Sequence, residues 1–151
     1  MARPVTLFTG QWADLPLTEL AKKSRSWGYN GLELACWGDH FDPAKGAMDP
    51  AYCEQQQNIL KENNLSVYAI SHHLAGQLVC DLNNDARSDG FAPNDCAGDP
   101  EKKRAWAVET MKQTAIAAKN MGLNVVNGFT GSSIWHLIYS FPPVSEEQIE
   151  E

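Results

Sequence analysis

GYNGLELACWGDHFD, residues 28–42, decides the fold. Gly28 suits the position just past a helix end, where a left-handed residue is needed. Asn30-Gly31 makes a tight turn. Gly31–Cys36 alternates around an apolar run and reads as a strand. A polar loop with Gly and Pro follows, Trp37–Asp49. The passage from helix to strand is short, and the passage out of the strand is long.

The same rhythm extends in both directions. Upstream, Val5–Thr9 is β-prone and stops at Gly10. A helix then carries Leu17, Leu20, Ala21, Ser24 and Trp27 on one face, with Pro16 in its first turn. Downstream, Pro50 opens a helix to about Asn63, with Tyr52, Gln56, Ile59 and Leu60 along one side. Leu65–Ser71 is the third strand. The segment His72–Asp99 is rich in Asn, Asp and Gly and shows no clear periodicity. Asp99 caps another helix with Pro100 at its first position, and Val108, Met111, Ala115 and Ala118 line one face. Gly122 ends it, and Asn124–Gly128 is the fourth strand. Thr130–Val144 is an aromatic loop with Pro142-Pro143. At the chain's end Ser145 caps a new helix, with Gln148 in the capping-box position and Glu146 and Glu147 in the first turn.

Strands alternating with helices imply an α/β fold with a parallel sheet. Two architectures fit: a small open sheet of flavodoxin type, or half of an eight-stranded barrel. In both, the loops after the strands carry the site, and here length and aromatic residues gather on that side. The helix begun at Ser145 leaves the fourth strand uncovered on one side. That ending favours half of something larger over a complete open sheet, and periodicity alone goes no further.

Bulk properties narrow the function classes. Hydrophobic residues make up 43% and charged residues 21% of the 151, which suits a chain that buries a core. A formal net charge of −7 argues against nucleic acid as a partner. The basic run Lys102-Lys103-Arg104 reads as a solvated helix face. No stretch has the apolar length of a membrane span, and MARPVTLF lacks the build of a secretion signal, so the expected location is the cytoplasm. Cys36, Cys53, Cys80 and Cys96 include no C-x-x-C pair and read as reduced thiols.

Four strings together carry a resemblance: VTLFTGQW, WGYNGLELACWGDHFD, VYAISHHLAGQLVCD and GLNVVNGFTGSSIWH followed by YSFPPVS. Along essentially its whole length the chain resembles the N-terminal half of the sugar-phosphate isomerase/epimerase proteins with a xylose-isomerase-like TIM barrel. The resemblance implies that residues 1–151 form one partial domain, about half of a TIM barrel truncated after its fourth strand, and that a full-length form is about twice this length, as eight strands require. It implies a divalent metal (Mn, Mg, Co or Zn) held mainly by later strands, with no tight metal site expected in this chain alone. It also implies a small-molecule sugar or sugar phosphate as substrate. The catalytic Glu pair of the family's epimerases belongs to the later strands as well.

Several residues are candidates for the part of a site this half would supply. Glu33 is a carboxylate inside an apolar strand, which requires either a polar cavity or a structural partner; both readings stand. His72 and His73 follow the third strand, and by analogy His73 is the inward one. It is a candidate catalytic residue and a candidate metal ligand, beside the reading that it only hydrogen-bonds within its loop. Trp12, Trp37, Asp39, His40, Trp135 and His136 follow the first, second and fourth strands. Trp12, Trp37, His40, His73, Trp135 and His136 form the candidate substrate-binding set, since sugars take aromatic faces and directed hydrogen bonds; rim packing is the competing reading for each tryptophan. Gly128–Ser133 is a weak candidate for anion binding, matching neither Gly-rich phosphate motif.

Three functions follow from these features. In the first, which the resemblance implies, the chain is expected to be part of a metal-dependent sugar (phosphate) isomerase or epimerase that moves a proton next to a carbonyl, and to be inactive by itself. Alternatively it is a non-catalytic half-barrel module that self-associates as a homo-oligomer. A zinc-dependent endonuclease of the same superfamily is the third, disfavoured by the acidic charge.

Overall fold

The computed structural model describes residues 3–84 and 86–134. The expected helix start at Ser145 and the candidates Trp135 and His136 lie outside them. The described chain contains strands β1 (Thr6–Phe8), β2 (Gly31–Ala35), β3 (Ser66–Ser71) and β4 (Val126–Asn127). It contains helices α1 (Leu17–Ser26), α2 (Pro43–Met48), α3 (Pro50–Lys61), α4 (His73–Cys80) and α5 (Pro100–Asn120). The strands form one sheet in the order β1-β2-β3-β4, and every pairing is parallel. That order, with a helix after each of the first three strands, is the α/β barrel arrangement rather than the reordered open sheet.

The chain divides into two compact units. The first comprises residues 1–72 and 110–127, the second residues 73–109 and 128–151.

In the first unit, Asn30 ties the start of β1 to the start of β2. Its side-chain oxygen accepts the Val5 amide at 2.9 Å, and its own amide donates to the Val5 carbonyl at 2.9 Å. The next position must be glycine, because a Cβ on Gly31 would run into the Ser66 carbonyl and the Tyr68 ring. Leu7, Leu32, Leu34, Cys36 and Ile70 project from one face of the sheet. They pack with Leu17 and Ala21 of α1, Cys53 and Leu60 of α3, and Ala117, Ala118 and Met121 at the end of α5 and just beyond it. Each fully buried Leu contributes about 2 kcal/mol by leaving water. Asp49 caps α3 through the Ala51 amide at 2.9 Å, and Asp99 accepts the Lys102 amide at 3.0 Å at the start of α5. Both helices thus begin where their Asp-Pro pairs predict.

Four local expectations are corrected. The loop after β2 contains a short helix, α2, capped by Asp42 through the Lys45 amide at 3.1 Å. The segment after β3 opens directly into α4. Trp27 sits past the end of α1 and is half exposed, whereas Leu17, Leu20, Ala21 and Ser24 are buried. On α5 the buried residues are Lys103, Ala107, Thr110, Thr114, Ala117 and Ala118, while Ala115 is exposed. Polar side chains with local partners occupy the inward stripe: the Thr114 hydroxyl donates to the Thr110 carbonyl at 2.8 Å.

Lys103 is the sharpest departure from the expected solvated face, since only 1% of its surface is exposed. In the second unit its ammonium pairs with Asp89, donates to the Ser88 hydroxyl at 2.8 Å and donates to the Asn83 carbonyl at 3.1 Å. Three acceptors match its three protons, which is what a buried lysine requires. Asn83 itself is buried in a left-handed conformation (φ 57°), and its amide closes α4 by donating to the Leu78 carbonyl at 2.7 Å.

Candidate active site

Alternation along a strand sends successive side chains to opposite faces. With Leu32, Leu34 and Ile70 committed to the helix-packed core, Phe8, Glu33, Ala69, Ser71 and Asn127 fall on the other face of the sheet. In a barrel this second face is the interior.

Glu33 is half buried there, and its register partner on β3 is Ala69. Its Oε1 accepts the hydroxyl of Ser71, two residues further along β3, rather than anything at its own level. Ala69 is too small to fill the space opposite the carboxylate, so the Glu33 side chain passes over it toward the strand C-termini. Ser71 is fully buried, and its carbonyl accepts the Cys36 amide at 2.8 Å.

Aromatic rings gather at the same strand ends. Trp37 meets Phe8 edge to face at 5.8 Å between centroids and lies 6.4 Å from the ring of His72. Gly10 makes room for this cluster: a Cβ there would come within 2.7 Å of Trp37 Cζ2 and closer still to the Phe8 ring. Cys36 adjoins Trp37, but burial pushes its thiol up strongly, so it is a neutral thiol and not a nucleophile at pH 7.

The neighbouring loops are locked by hydrogen bonds. Thr9 accepts the Ala35 amide at 2.9 Å and contacts His40 Nδ1 at 2.9 Å. His40 Nε2 contacts the Leu15 carbonyl at 3.1 Å. A carbonyl only accepts, so Nε2 carries the proton and the Thr9 hydroxyl donates to Nδ1. His40 is fully buried, and burial pushes its pKa below the ordinary value despite opposing pulls from the Leu15 carbonyl and Asp39. Asp39 accepts the Leu17 amide at 3.1 Å and so caps α1, which Pro16 cannot do.

The candidate residues are thus distributed unevenly. Glu33 is bonded to Ser71 and lies level with Phe8 in the sheet, while Trp37 meets the rings of Phe8 and His72; the sequence did not single out Phe8, Ser71 or His72 as binding residues. His40 lies within the loop framework with both ring nitrogens engaged. Trp12 packs against the core, with its ring tilted 44° to that of Trp27 at 5.7 Å between centroids. In the second unit, His73 opens α4 with its ring 4.6 Å from that of Phe129. The strand alternation that separates the two histidines stops at Ser71.

The glycine-rich loop 128–133 also lies in the second unit. It borders a cavity of about 390 Å³ with Gln77. Its polar groups turn inward: the Thr130 carbonyl accepts the Cys80 amide at 2.9 Å, and Ser132 accepts the Ile134 amide at 3.3 Å. The Gln77 amide donates to Asp81 at 3.1 Å, which places a carboxylate beside the cavity and disfavours an anion.

Among the described residues no group of three or more His, Cys, Asp or Glu side chains is disposed to hold a metal ion. His73, the candidate ligand, belongs to no such group. All four cysteines are free. No described helix is long and apolar enough to cross a membrane.

A sequence model of the xylose isomerase-like TIM barrel matches residues 21–151. The chain belongs to that family. Its fold is also similar to a crystal structure of D-psicose 3-epimerase determined in the presence of D-fructose. The TM-score is 0.50 and the identity 12% over 97% of this chain, a likeness of fold. The chain spans 43% of that structure's length. No curated protein matches it. Within the barrel family, the face bearing Glu33 and Ser71 corresponds to barrel interior, and the Trp37 cluster lies at its strand C-termini.

Proposed function

We propose that this chain is part of a sugar isomerase or epimerase that works by proton transfer next to a carbonyl. Two observations carry the reading: a half-buried carboxylate, Glu33, bonded to Ser71 and level with Phe8 in the sheet, and a ring cluster of Trp37, Phe8 and His72 at the strand C-termini. A polyhydroxy compound needs such a combination: an aromatic face for its C–H groups and an acceptor for its hydroxyls. In the reaction a base removes the proton beside the carbonyl, and the enediolate is reprotonated elsewhere. Glu33 is assigned to bind a substrate hydroxyl.

The test is saturation-transfer NMR of the chain with D-fructose, with sorbitol and abasic-site DNA as controls. Binding of fructose supports the reading, and cleavage of the DNA contradicts it. A second reading, a self-associating module, draws on the edge strands, since β1 and β4 are each paired on one side only among the described residues. A sharp dimer in sedimentation with no fructose binding favours that module.

A further inference from the structure

The Glu33 carboxylate is bonded across strands and off register. Its own partner on β3 is Ala69, yet the hydroxyl it receives comes from Ser71. Ser71 is held on both sides by the sheet: its carbonyl accepts the Cys36 amide, and it pairs in register with Asn127 of β4. The side chain is completely buried and points to the face of the sheet opposite Ile70 and the core. A buried hydroxyl fixed by two neighbouring strands is a rigid donor, and a hydrogen bond to a carboxylate is stronger than one between neutral groups. Only Oε1 is engaged among the described residues, so the second oxygen keeps its acceptor capacity.

We infer that Ser71 is a positioning residue: its hydroxyl draws the Glu33 carboxylate to the strand C-termini, beside Trp37 and His72, and leaves Oε2 to accept a hydroxyl of an uncharged polyol. The inference rests on the sugar-binding reading and assigns a role that no motif in the sequence marks. Without the hydroxyl, Glu33 loses the contact that selects this rotamer. The carboxylate then spreads over orientations that do not face the aromatic cluster, and binding must restore the order each time.

The experiment compares the unaltered chain with Ser71→Ala, Ser71→Thr, Glu33→Gln and the double variant Ser71→Ala/Glu33→Gln. D-fructose is the probe, its dissociation constant is read from the Trp37 indole N–H signal, and circular dichroism checks the fold. Ser71→Ala is expected to weaken binding about five- to tenfold, the range of one lost hydrogen bond. Ser71→Thr, which keeps the hydroxyl, is expected to restore binding to within about twofold. In the Glu33→Gln background the loss of the Ser71 hydroxyl is expected to have little further effect, because the two residues act as one unit. Unchanged fructose binding by Ser71→Ala overturns the inference, as does an equal loss in both backgrounds. Failure of the unaltered chain to bind fructose overturns the sugar reading itself, and the inference with it.

Discussion

The hydroxyl of Thr9, just past β1, donates to Nδ1 of His40 in the loop after β2, at 2.9 Å. The same oxygen accepts the Ala35 amide, and the His40 Nε2–H donates to the Leu15 carbonyl. Two βα loops are thereby fastened through a single neutral imidazole. The substitution His40→Ala leaves the Thr9 hydroxyl and the Leu15 carbonyl buried without that partner, at a cost of about 1–3 kcal/mol. Chemical denaturation of the variant measures it.

The same ring makes stability depend on pH. Burial lowers the folded-state pKa of His40 below its ordinary 6.5. The unfolded chain therefore binds a proton first as pH falls. The contribution is full above about pH 6.5 and is lost progressively below it, down to the folded-state pKa. The melting temperature of the unaltered chain is expected to fall across that window, and His40→Gln is expected to flatten the profile there.

Lys103 holds the second unit through Asp89, Ser88 and the Asn83 carbonyl. Lys103→Ala removes the cation beside the partly buried Asp89 carboxylate, which keeps the Gly98 amide at 3.0 Å, and costs about 3 kcal/mol. Replacing both charges, Lys103→Met with Asp89→Leu, is expected to recover a substantial part of that loss. Urea unfolding of the three chains separates the outcomes.

Gly10→Ala places a methyl group in the space occupied by the Phe8 and Trp37 rings. The expected cost is about 1–3 kcal/mol, the usual penalty of overpacking. The Trp37 indole signal is expected to move, and fructose binding to weaken with it.

Ser24 offers a change in the opposite direction. Its hydroxyl is buried in α1 with no hydrogen-bond partner among the described residues. Ser24→Ala removes that desolvated group and improves helix propensity. A gain of about 1 kcal/mol is expected, visible as a melting temperature about 2–4 °C higher.

The parallel α/β fold was legible because its punctuation is local. Gly28, Asn30-Gly31, Asp49-Pro50 and Asp99-Pro100 each act within a few residues, and the helices and strands begin close to where they point. Helix α2 was hidden by a composition of Pro, Gly and Lys that reads as loop. Helix α4 was hidden by its eight-residue length and by two histidines that drew attention as ligands. Lys103 and Thr114 sit on a buried stripe because of partners that local periodicity cannot reveal.

The site was legible only at its conspicuous residues. Glu33 stood out as a charge in an apolar strand, and Trp37 as an aromatic after it. Ser71 did not, because its role depends on strand register, and the pairing of β2 with β3 is irregular between Leu32 and Glu33. His40 looked like a binding group because its partners, Thr9 and Leu15, lie in another loop. Its spacing gives no sign that both nitrogens are engaged.

The most direct test of the account is a ¹⁵N-resolved NMR titration of the unaltered chain with D-fructose. The account predicts shifts concentrated at Glu33, Ser71, His72 and the Trp37 indole, with the loop around Gln77 and Gly131 unmoved. Shifts confined to that second-unit loop, or a spectrum that fructose leaves unchanged, contradict it.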